Sequence, residues 1–172
     1  MRGSPCAWIC IGLAACTSSA GPQDLIDLDG WREAGAAEDP FADRPDEAEC
    51  PTSSRVIELE EGVPYLEVDT TICNYMTLVQ ETLVELLSGD RVVFRWGHRK
   101  LDAPSPAQAH VALLIGNSLI EDRTVDIPAL EMDTVVEFEM SEDVPKGRPI
   151  WLHLHNHGDN QWLFYTPEVQ PL

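Results

Sequence analysis

The pattern of apolar and polar residues has a period of two over most of the chain. From about Thr52 onward, apolar side chains alternate with polar ones in short runs, as in β-strands with one buried face. The predicted strands are residues 55–60, 82–87, 91–96, 109–115, 118–120, 134–140, 149–156 and 161–166. Gly116-Asn117 is a hairpin signal between two of them. Seven or eight short strands at this spacing predict an all-β sandwich or barrel over residues 52–172.

The segment before this domain has a different composition. Between Thr17 and Cys50 the chain carries ten acidic and two basic residues, with Pro, Gly and Ala throughout. Such a segment buries too little apolar surface to offset the entropy cost of folding. Residues 16–51 are therefore predicted to be a disordered acidic linker.

The first sixteen residues resemble the signal of bacterial lipoproteins. Met1-Arg2 is a short positive start, and the apolar run 6–15 is too short to span a bilayer as a mature helix. The run ends in Leu13-Ala14-Ala15-Cys16, which is similar to the lipobox at which that family is cleaved and lipidated. The resemblance implies a signal peptide over residues 1–15 and a membrane anchor at Cys16, because acyl chains partition into the bilayer. An ordinary secretory signal with a chance cysteine is the alternative.

This resemblance also implies a location. A lipidated Cys16 places the protein in the cell envelope. Thr17 follows it, whereas an aspartate at that position retains some lipoproteins in the inner membrane. The sequence therefore favours the outer membrane over the inner membrane.

Two cysteines remain once the signal is removed. Cys50 and Cys73 form an even pair in an oxidising compartment, so a disulfide between them is predicted. The alternative is that Cys73 is a thiolate metal ligand, which leaves Cys50 unpaired.

The net charge excludes one class of partner. The formal charge is −19, and Arg99-Lys100 is the only adjacent basic pair. Nucleic acid binding depends on Lys and Arg displacing phosphate counterions, so a nucleic acid partner is not expected.

The order of parts in the domain resembles the cupredoxins, which are small Greek-key copper proteins. A strand, the turn Gly89-Asp90, an alternating strand 92–96, a loop and His110-Val111 follow one another as in the middle of that family. A later strand ends in His153-Leu154-His155-Asn156-His157, where cupredoxins carry their second group of ligands. The resemblance implies a Greek-key, cupredoxin-like β-sandwich in which His110 is the first metal ligand.

The chain also departs from that family. No cysteine follows Cys73 and no methionine follows Met140, whereas a blue copper site needs a thiolate and usually an axial methionine. Electron transfer by blue copper and oxidase chemistry are therefore disfavoured. A site built from histidines alone is what remains.

Strand geometry limits how such a site is formed. Residues two apart share a face, so His153, His155 and His157 project together, but the first and third lie ~13 Å apart in an extended strand. Two of them are expected to pair with His110, or with His98 in reserve, and His155 with His110 is the preferred pair. Imidazole suits copper and zinc, and copper is the first expectation. A solvent-facing strand and turn without any metal is the alternative.

These observations support three functions of different classes. The leading expectation is an envelope lipoprotein that binds copper, or else zinc, through histidines for capture, buffering or delivery. The alternative is a metal-free binding or scaffolding module of the envelope that recognises carbohydrate or a partner protein through a face bearing Trp96, Trp151 and Trp162. An enzyme with a mononuclear copper site comes third. Catalysis has little support, because the sequence has no nucleophile motif. Glu81 and Glu85 could be paired carboxylates, but such a pair is expected by chance among thirty acidic residues.

Overall fold

The described part of the chain is built almost entirely of β-strands. The computed structural model describes residues 21–171. Its strands are β1 Gln23–Asp24, β2 Arg32–Glu33, β3 Arg55–Glu60, β4 Val63–Asp69, β5 Tyr75–Glu81, β6 Arg91–His98, β7 Ala107–Ile115, β8 Ser118–Ile127, β9 Met132–Glu139, β10 Pro149–His155, β11 Gln161–Tyr165 and β12 Glu168–Gln170. Two single 3-10 turns, Leu28–Gly30 and Thr52–Ser54, are the helical elements in this range. The prediction of an all-β fold is confirmed.

The strands form a sandwich of two antiparallel sheets. The first sheet has seven strands in the order β1-β12-β6-β11-β4-β3, and β9 pairs with the free edge of β6. The second sheet has five strands in the order β2-β5-β10-β7-β8. Neighbours in space are mostly distant in sequence, so each sheet is assembled by chain crossings from one sheet to the other.

The alternating pattern determines which side chains enter the core between the sheets. Val92, Phe94 and Trp96 of β6 point inward and are at most 1% exposed, as are Leu152 and Leu154 of β10 on the facing sheet. Burying apolar surface contributes about 25 cal/mol per Å², so this central layer supplies most of the driving force for folding. The period of two in the sequence therefore assigned the core face of both sheets correctly.

One predicted strand is wrong. Residues 82–87 alternate in polarity, but β5 ends at Glu81 and the following residues form a bent connection in which Leu86 makes a single bridge to Val144. Thr82 instead accepts and donates hydrogen bonds across the 145–148 turn, which ends the ladder. Strands β4 and β5, which the sequence analysis did not assign, take the places beside β11 and β10.

The acidic segment is ordered where the structure describes it, so the prediction of a disordered linker is wrong for residues 21–51. β1 pairs with β12 and β2 pairs with β5, and Leu25 and Ala34 are at most 1% exposed. The segment does not have to fold alone, because its few apolar residues pack against the core of the sandwich. These contacts offset the entropy cost of ordering the segment. The predicted signal peptide, residues 1–15, and Cys16 lie outside the described residues.

The predicted disulfide is confirmed. Cys50 and Cys73 are joined, with their Cα atoms 4.0 Å apart, and both are buried. The bond fixes the end of the acidic segment to the loop between β4 and β5. Within residues 21–171, no helix has the length and apolar character needed to span a lipid bilayer.

Candidate functional site

Three of the predicted histidines lie together on the outer face of the second sheet. The register of β10 and β7 places His155 directly opposite His110, as the sequence analysis expected. His153 lies two residues before His155 on the same face, and its ring centroid is 4.8 Å from that of His110. Their grouping follows from the strand period, because alternate residues of one strand and their partners on the next share a face.

A carboxylate that the sequence analysis did not predict holds these histidines. Asp43 Oδ2 lies 3.0 Å from His110 Nδ1, 3.3 Å from His153 Nε2 and 3.1 Å from His155 Nδ1, so the three imidazoles donate to one oxygen. On its other side His110 Nε2 donates to Asp122 Oδ1 at 2.7 Å. His110 therefore donates through both ring nitrogens in this geometry, which is the protonated form.

The cluster shifts the titration of its members in different directions. Burial raises the pKa of Asp43, but the three imidazoles outweigh this and hold its pKa well below the usual range. Burial lowers the pKa of His110, but Asp122 and Asp43 outweigh this and raise its pKa above the ordinary value. Burial lowers the pKa of His153, and Asp43 offsets only part of the effect. The cluster therefore moves the pKa values of His110 and His153 in opposite directions.

Asp43 belongs to a segment that covers this face, residues 34–50, here called the N-terminal strap. Phe41 stacks on the His153 ring with centroids 4.3 Å apart. Asp39 accepts a hydrogen bond from Tyr75 Oη at 2.8 Å and pairs with Arg44 at 2.9 Å. The strap explains why His153 is fully buried although it points away from the core.

Of the other two predicted histidines, His98 lies on the other sheet and His157 lies at the exposed border of the cluster. His98 is in β6 of the first sheet, where its ring packs on Trp162 at 4.9 Å and its Nδ1 donates to the Arg99 carbonyl at 2.8 Å. His157 is exposed in the loop after β10, with its ring 4.9 Å from that of His155. The chain therefore does not bring the five histidines to one place.

The tryptophan face proposed from the sequence is also wrong. Trp96 and Trp162 are fully buried in the core, with ring centroids 6.2 Å apart. Trp151 is half-buried in β10 of the second sheet and points away from the core that holds Trp96 and Trp162. Tryptophans at inward positions of a strand serve packing, so they cannot form one ligand surface.

The outer face of the first sheet carries an aromatic cluster instead, and its members are at most 6% exposed because charged side chains cover them. Tyr65 of β4 and Tyr165 of β11 are directly paired in register, with ring centroids 5.4 Å apart, and Leu163 completes a small apolar cluster with them. We call this surface the tyrosine face. The alternation of residues 161–166 contained the signal: with Trp162 inward, Leu163 and Tyr165 point outward.

A layer of charged side chains lies on this apolar floor. The Arg95 guanidinium is 4.0 Å from the Tyr165 ring centroid and donates to both oxygens of Asp133, the shortest contact being 2.7 Å. Glu60 accepts from Arg95 at 3.2 Å and from the Tyr165 hydroxyl. Burial, with Glu60, raises the pKa of Tyr165 to about 12, so the hydroxyl keeps its proton at neutral pH.

Two depressions meet at Arg95 and Tyr165. One, of about 340 Å³, extends toward Val63 and Glu168, and a narrower one, of about 70 Å³, extends toward Arg99. Together they form a shallow groove across β4, β11, β6 and β9. Polar groups in fixed positions over an apolar floor are the general character of small-ligand sites.

Comparisons with known proteins show the fold and no family. No family model and no curated protein sequence matches the chain. Among solved structures, a carbohydrate-binding module, TmCBM27, described with specific mannan recognition, superimposes with a TM-score of 0.54 at 9% identity, over 90% of this chain and 97% of its own. This match shows a shared β-sandwich fold.

Two further matches have TM-scores below 0.5, which is too low to support a structural conclusion. TmCBM61, solved in complex with β-1,4-galactotriose, gives a TM-score of 0.47 at 12% identity, covering 85% of this chain and 91% of its own. The family 11 carbohydrate-binding module of a Clostridium thermocellum cellulosomal cellulase gives 0.47 at 12% identity, covering 90% and 97%.

These findings correct the leading functional expectation. TmCBM27, the solved structure that shows the shared fold, is a carbohydrate-binding module, which contradicts the prediction of a protein that captures copper or zinc, and the cupredoxin-like label is not confirmed. One ligand atom from each of Asp43, His110 and His153 lies within 4.8 Å of the others. Asp43 Oδ2 uses this geometry for hydrogen bonds between strap and sheet, whereas Asp43 Oδ1 is buried without a hydrogen-bond partner within residues 21–171. Copper or zinc as a cofactor stays an untested prediction.

Proposed function

We propose that this protein is a carbohydrate-binding module whose ligand lies in the groove of the tyrosine face. The observation that carries the proposal is the meeting of two depressions at Arg95 and Tyr165, the tyrosine that packs on Tyr65 beneath them. The outer face of the second sheet is less suited to a ligand, because the N-terminal strap already covers its aromatic and imidazole side chains.

The groove matches the two-sided chemistry of a sugar. A pyranose ring has an apolar C–H surface, which packs favourably on exposed apolar side chains such as Val63 and Val135, which line the larger depression. Its hydroxyl groups are donors and acceptors, and Arg95, Glu60 and Asp133 offer the complementary charged partners. Hydrogen bonds to charged groups are stronger than those between neutral groups, so a few of them fix the orientation of a sugar.

The charges on the face favour an uncharged glycan. Arg95 and Arg99 are each engaged by carboxylates, from Asp133 and Glu60 in the first case and Glu131 and Glu60 in the second. The charge of each guanidinium is therefore already paired, although Arg95 Nη1 keeps its donors for a neutral hydroxyl, and the whole chain carries −19. A polysaccharide rich in uronic acid would therefore be repelled.

The fold supports the same function by analogy. The neighbour TmCBM27 has the same sandwich over nearly its whole length and is described as recognising mannan. A shared fold does not by itself assign a ligand. The likeness to TmCBM27 supports carbohydrate binding in general, and the proposed site rests on the groove residues.

The lipoprotein resemblance adds a location to the proposal. A lipid on Cys16 would hold the module at the cell envelope, where it would meet extracellular or cell-wall glycans. A partner protein of the envelope was also expected, but no residue is assigned to bind it.

A pair of matched variants tests the proposal. Arg95→Ala removes a guanidinium from the groove, whereas Arg91→Ala removes one from the same strand that pairs only with Glu137 and lines neither depression. Affinity electrophoresis against mannan, xylan, mixed-linked β-glucan, galactan and alginate gives the ligand, and isothermal titration gives the affinity.

We expect at least one uncharged polysaccharide to bind and alginate not to bind. Losing charge-assisted hydrogen bonds of about 1.5–3 kcal/mol each corresponds to at least tenfold weaker binding for Arg95→Ala, with Arg91→Ala within twofold of wild type. Equal binding by all three proteins, or no binding to any polysaccharide, would contradict the proposal. Thermal unfolding of each variant checks that the fold is retained.

A further inference from the structure

A second cleft opens at one end of the sandwich, beyond the strands of the tyrosine face. It has a volume of about 660 Å³ and lies between the loops that follow β4, β6 and β10. Its lining residues are Glu49, residues 70–74, Pro104, Ser105, Ala107 and residues 156–159.

The floor of this cleft is held by groups that already have partners. The Thr70 amide donates to the Asn160 carbonyl at 2.9 Å, and Asn156 Nδ2 donates to Thr70 Oγ1 at 2.8 Å. The Cys50–Cys73 disulfide fixes another wall. Gly158 allows close approach of the loops, because a Cβ atom there would lie 2.2 Å from the Asp102 carbonyl oxygen. The cleft is therefore preorganised rather than formed by a ligand.

The rim is different, because its polar side chains are not engaged. Glu49, Ser105, His157 and Asp159 are exposed, and none of their side chains makes a hydrogen bond within residues 21–171. Ile72 stands beside them with 56% of its surface exposed. Carboxylates, a hydroxyl and an imidazole next to an apolar side chain offer both hydrogen bonds and a packing surface to one ligand.

Two loops lead from the tyrosine face to the cleft. Asp69 ends β4 on the outer face and accepts a hydrogen bond from Thr71 Oγ1 at 2.7 Å in the cleft wall. Arg99 lines the narrower depression of the face, and the loop that it begins reaches Ser105 in the cleft. Gln161, which begins β11 after the cleft loop, is four positions from Tyr165, and this separation is ~13 Å along a strand.

We propose that this cleft is an extension of the glycan site and receives the end of a chain whose middle lies on the tyrosine face. This inference rests on the proposed function. The ligand is an uncharged oligosaccharide, because Glu49 and Asp159 disfavour an anion at the rim. Ser105 and His157 bond the hydroxyl groups of the terminal sugar, and Ile72 packs against its C–H surface.

Chain length is the variable that tests the proposal. The probes are the triose and the hexaose of mannan, xylan, mixed-linked β-glucan and galactan. A triose is short enough for the tyrosine face alone, whereas a hexaose reaches the cleft. The full mature protein is titrated with each, in the wild type and in the double variant Ser105→Ala with His157→Ala. The single variant Gln108→Ala serves as the control, since Gln108 is exposed on β7 and lies outside this cleft.

For the sugar that binds, we expect the hexaose to bind at least tenfold more tightly than the triose. The double variant should bind the hexaose about tenfold more weakly and the triose as tightly as wild type does. Each lost hydrogen bond costs a few-fold to about tenfold in affinity. The His157 imidazole resonances should shift with the hexaose and not with the triose. If triose and hexaose bind with equal affinity, or if the double variant leaves the hexaose unchanged, the cleft proposal is overturned while the tyrosine face stands. If no triose or hexaose binds the wild type, both proposals fail.

Discussion

Replacing Asp43 should loosen the N-terminal strap and destabilise the whole domain. Asp43 Oδ2 accepts hydrogen bonds from His110, His153 and His155, and one third of the Asp43 side chain is exposed. A hydrogen bond to a charged group contributes about 1.5–3 kcal/mol, but the three share one partly solvated oxygen, so their sum is an overestimate. We expect Asp43→Asn to lower the free energy of unfolding by about 2–3 kcal/mol, which is about 5–10 °C in thermal midpoint for a domain of this size.

The sign of the pH dependence follows from the lowered pKa of Asp43. In the folded protein this pKa lies below the ~3.9 of an unfolded aspartate, so the stabilisation is fully present above that pH and is lost as pH falls toward the folded value. Urea unfolding curves of wild type and Asp43→Asn should therefore differ most at neutral pH and converge under acid. Asp46→Asn, the same change at an exposed position of the strap, is the matched control.

Two results would refute this reasoning. A loss below about 0.5 kcal/mol, equal to that of Asp46→Asn, would mean that the histidines do not hold the strap. A constant difference between wild type and Asp43→Asn from pH 7 to pH 3 would mean that the Asp43 charge is not the source of the stabilisation.

Three further predictions concern the covalent and backbone features. Replacing Cys50 and Cys73 together by alanine should cost about 3 kcal/mol in urea unfolding, because the bond closes a loop with a sequence separation of 23, and an unchanged midpoint would contradict this. Gly158→Ala should cost about 1–3 kcal/mol, because its φ of +101° and the contact with the Asp102 carbonyl both exclude a side chain; a variant as stable as wild type would show that the loops separate freely. Cys16→Ala should release the protein from membranes on fractionation, and equal membrane retention would make the lipoprotein resemblance misleading.

The sequence pattern predicted most of the strands because their polarity is decided locally. The inward positions of β6 and β10 alternate with outward ones over seven or eight residues, so the core face follows from the period alone. The strap could not be predicted in this way. Phe41 and Asp43 lie in an acidic, low-hydrophobicity segment, and the imidazoles that they contact, those of His110, His153 and His155, lie at least 67 residues later.

The candidate sites were predictable to different degrees. The period of two put His153 and His155 on one face, and the facing position of His110 came from the resemblance to cupredoxins. What these histidines do depends on Asp43, and its position cannot be read from local composition. The tyrosine face joins Tyr65 and Tyr165, which are one hundred positions apart, and pairing of β4 with β11 brings them together. The alternation of residues 161–166 indicates an outward Tyr165, but β4 was not predicted, so Tyr65 and its pairing with Tyr165 were missed.

The central claim is that a glycan lies on the tyrosine face, and mapping of a bound ligand by amide chemical shifts tests it most directly. The protein is titrated with the oligosaccharide that binds most tightly, and the backbone resonances of residues 21–171 are followed. The account predicts that the largest shifts fall on Arg95, Gly97, Leu163 and Tyr165. Shifts confined to the outer face of the second sheet, around His153, would contradict it.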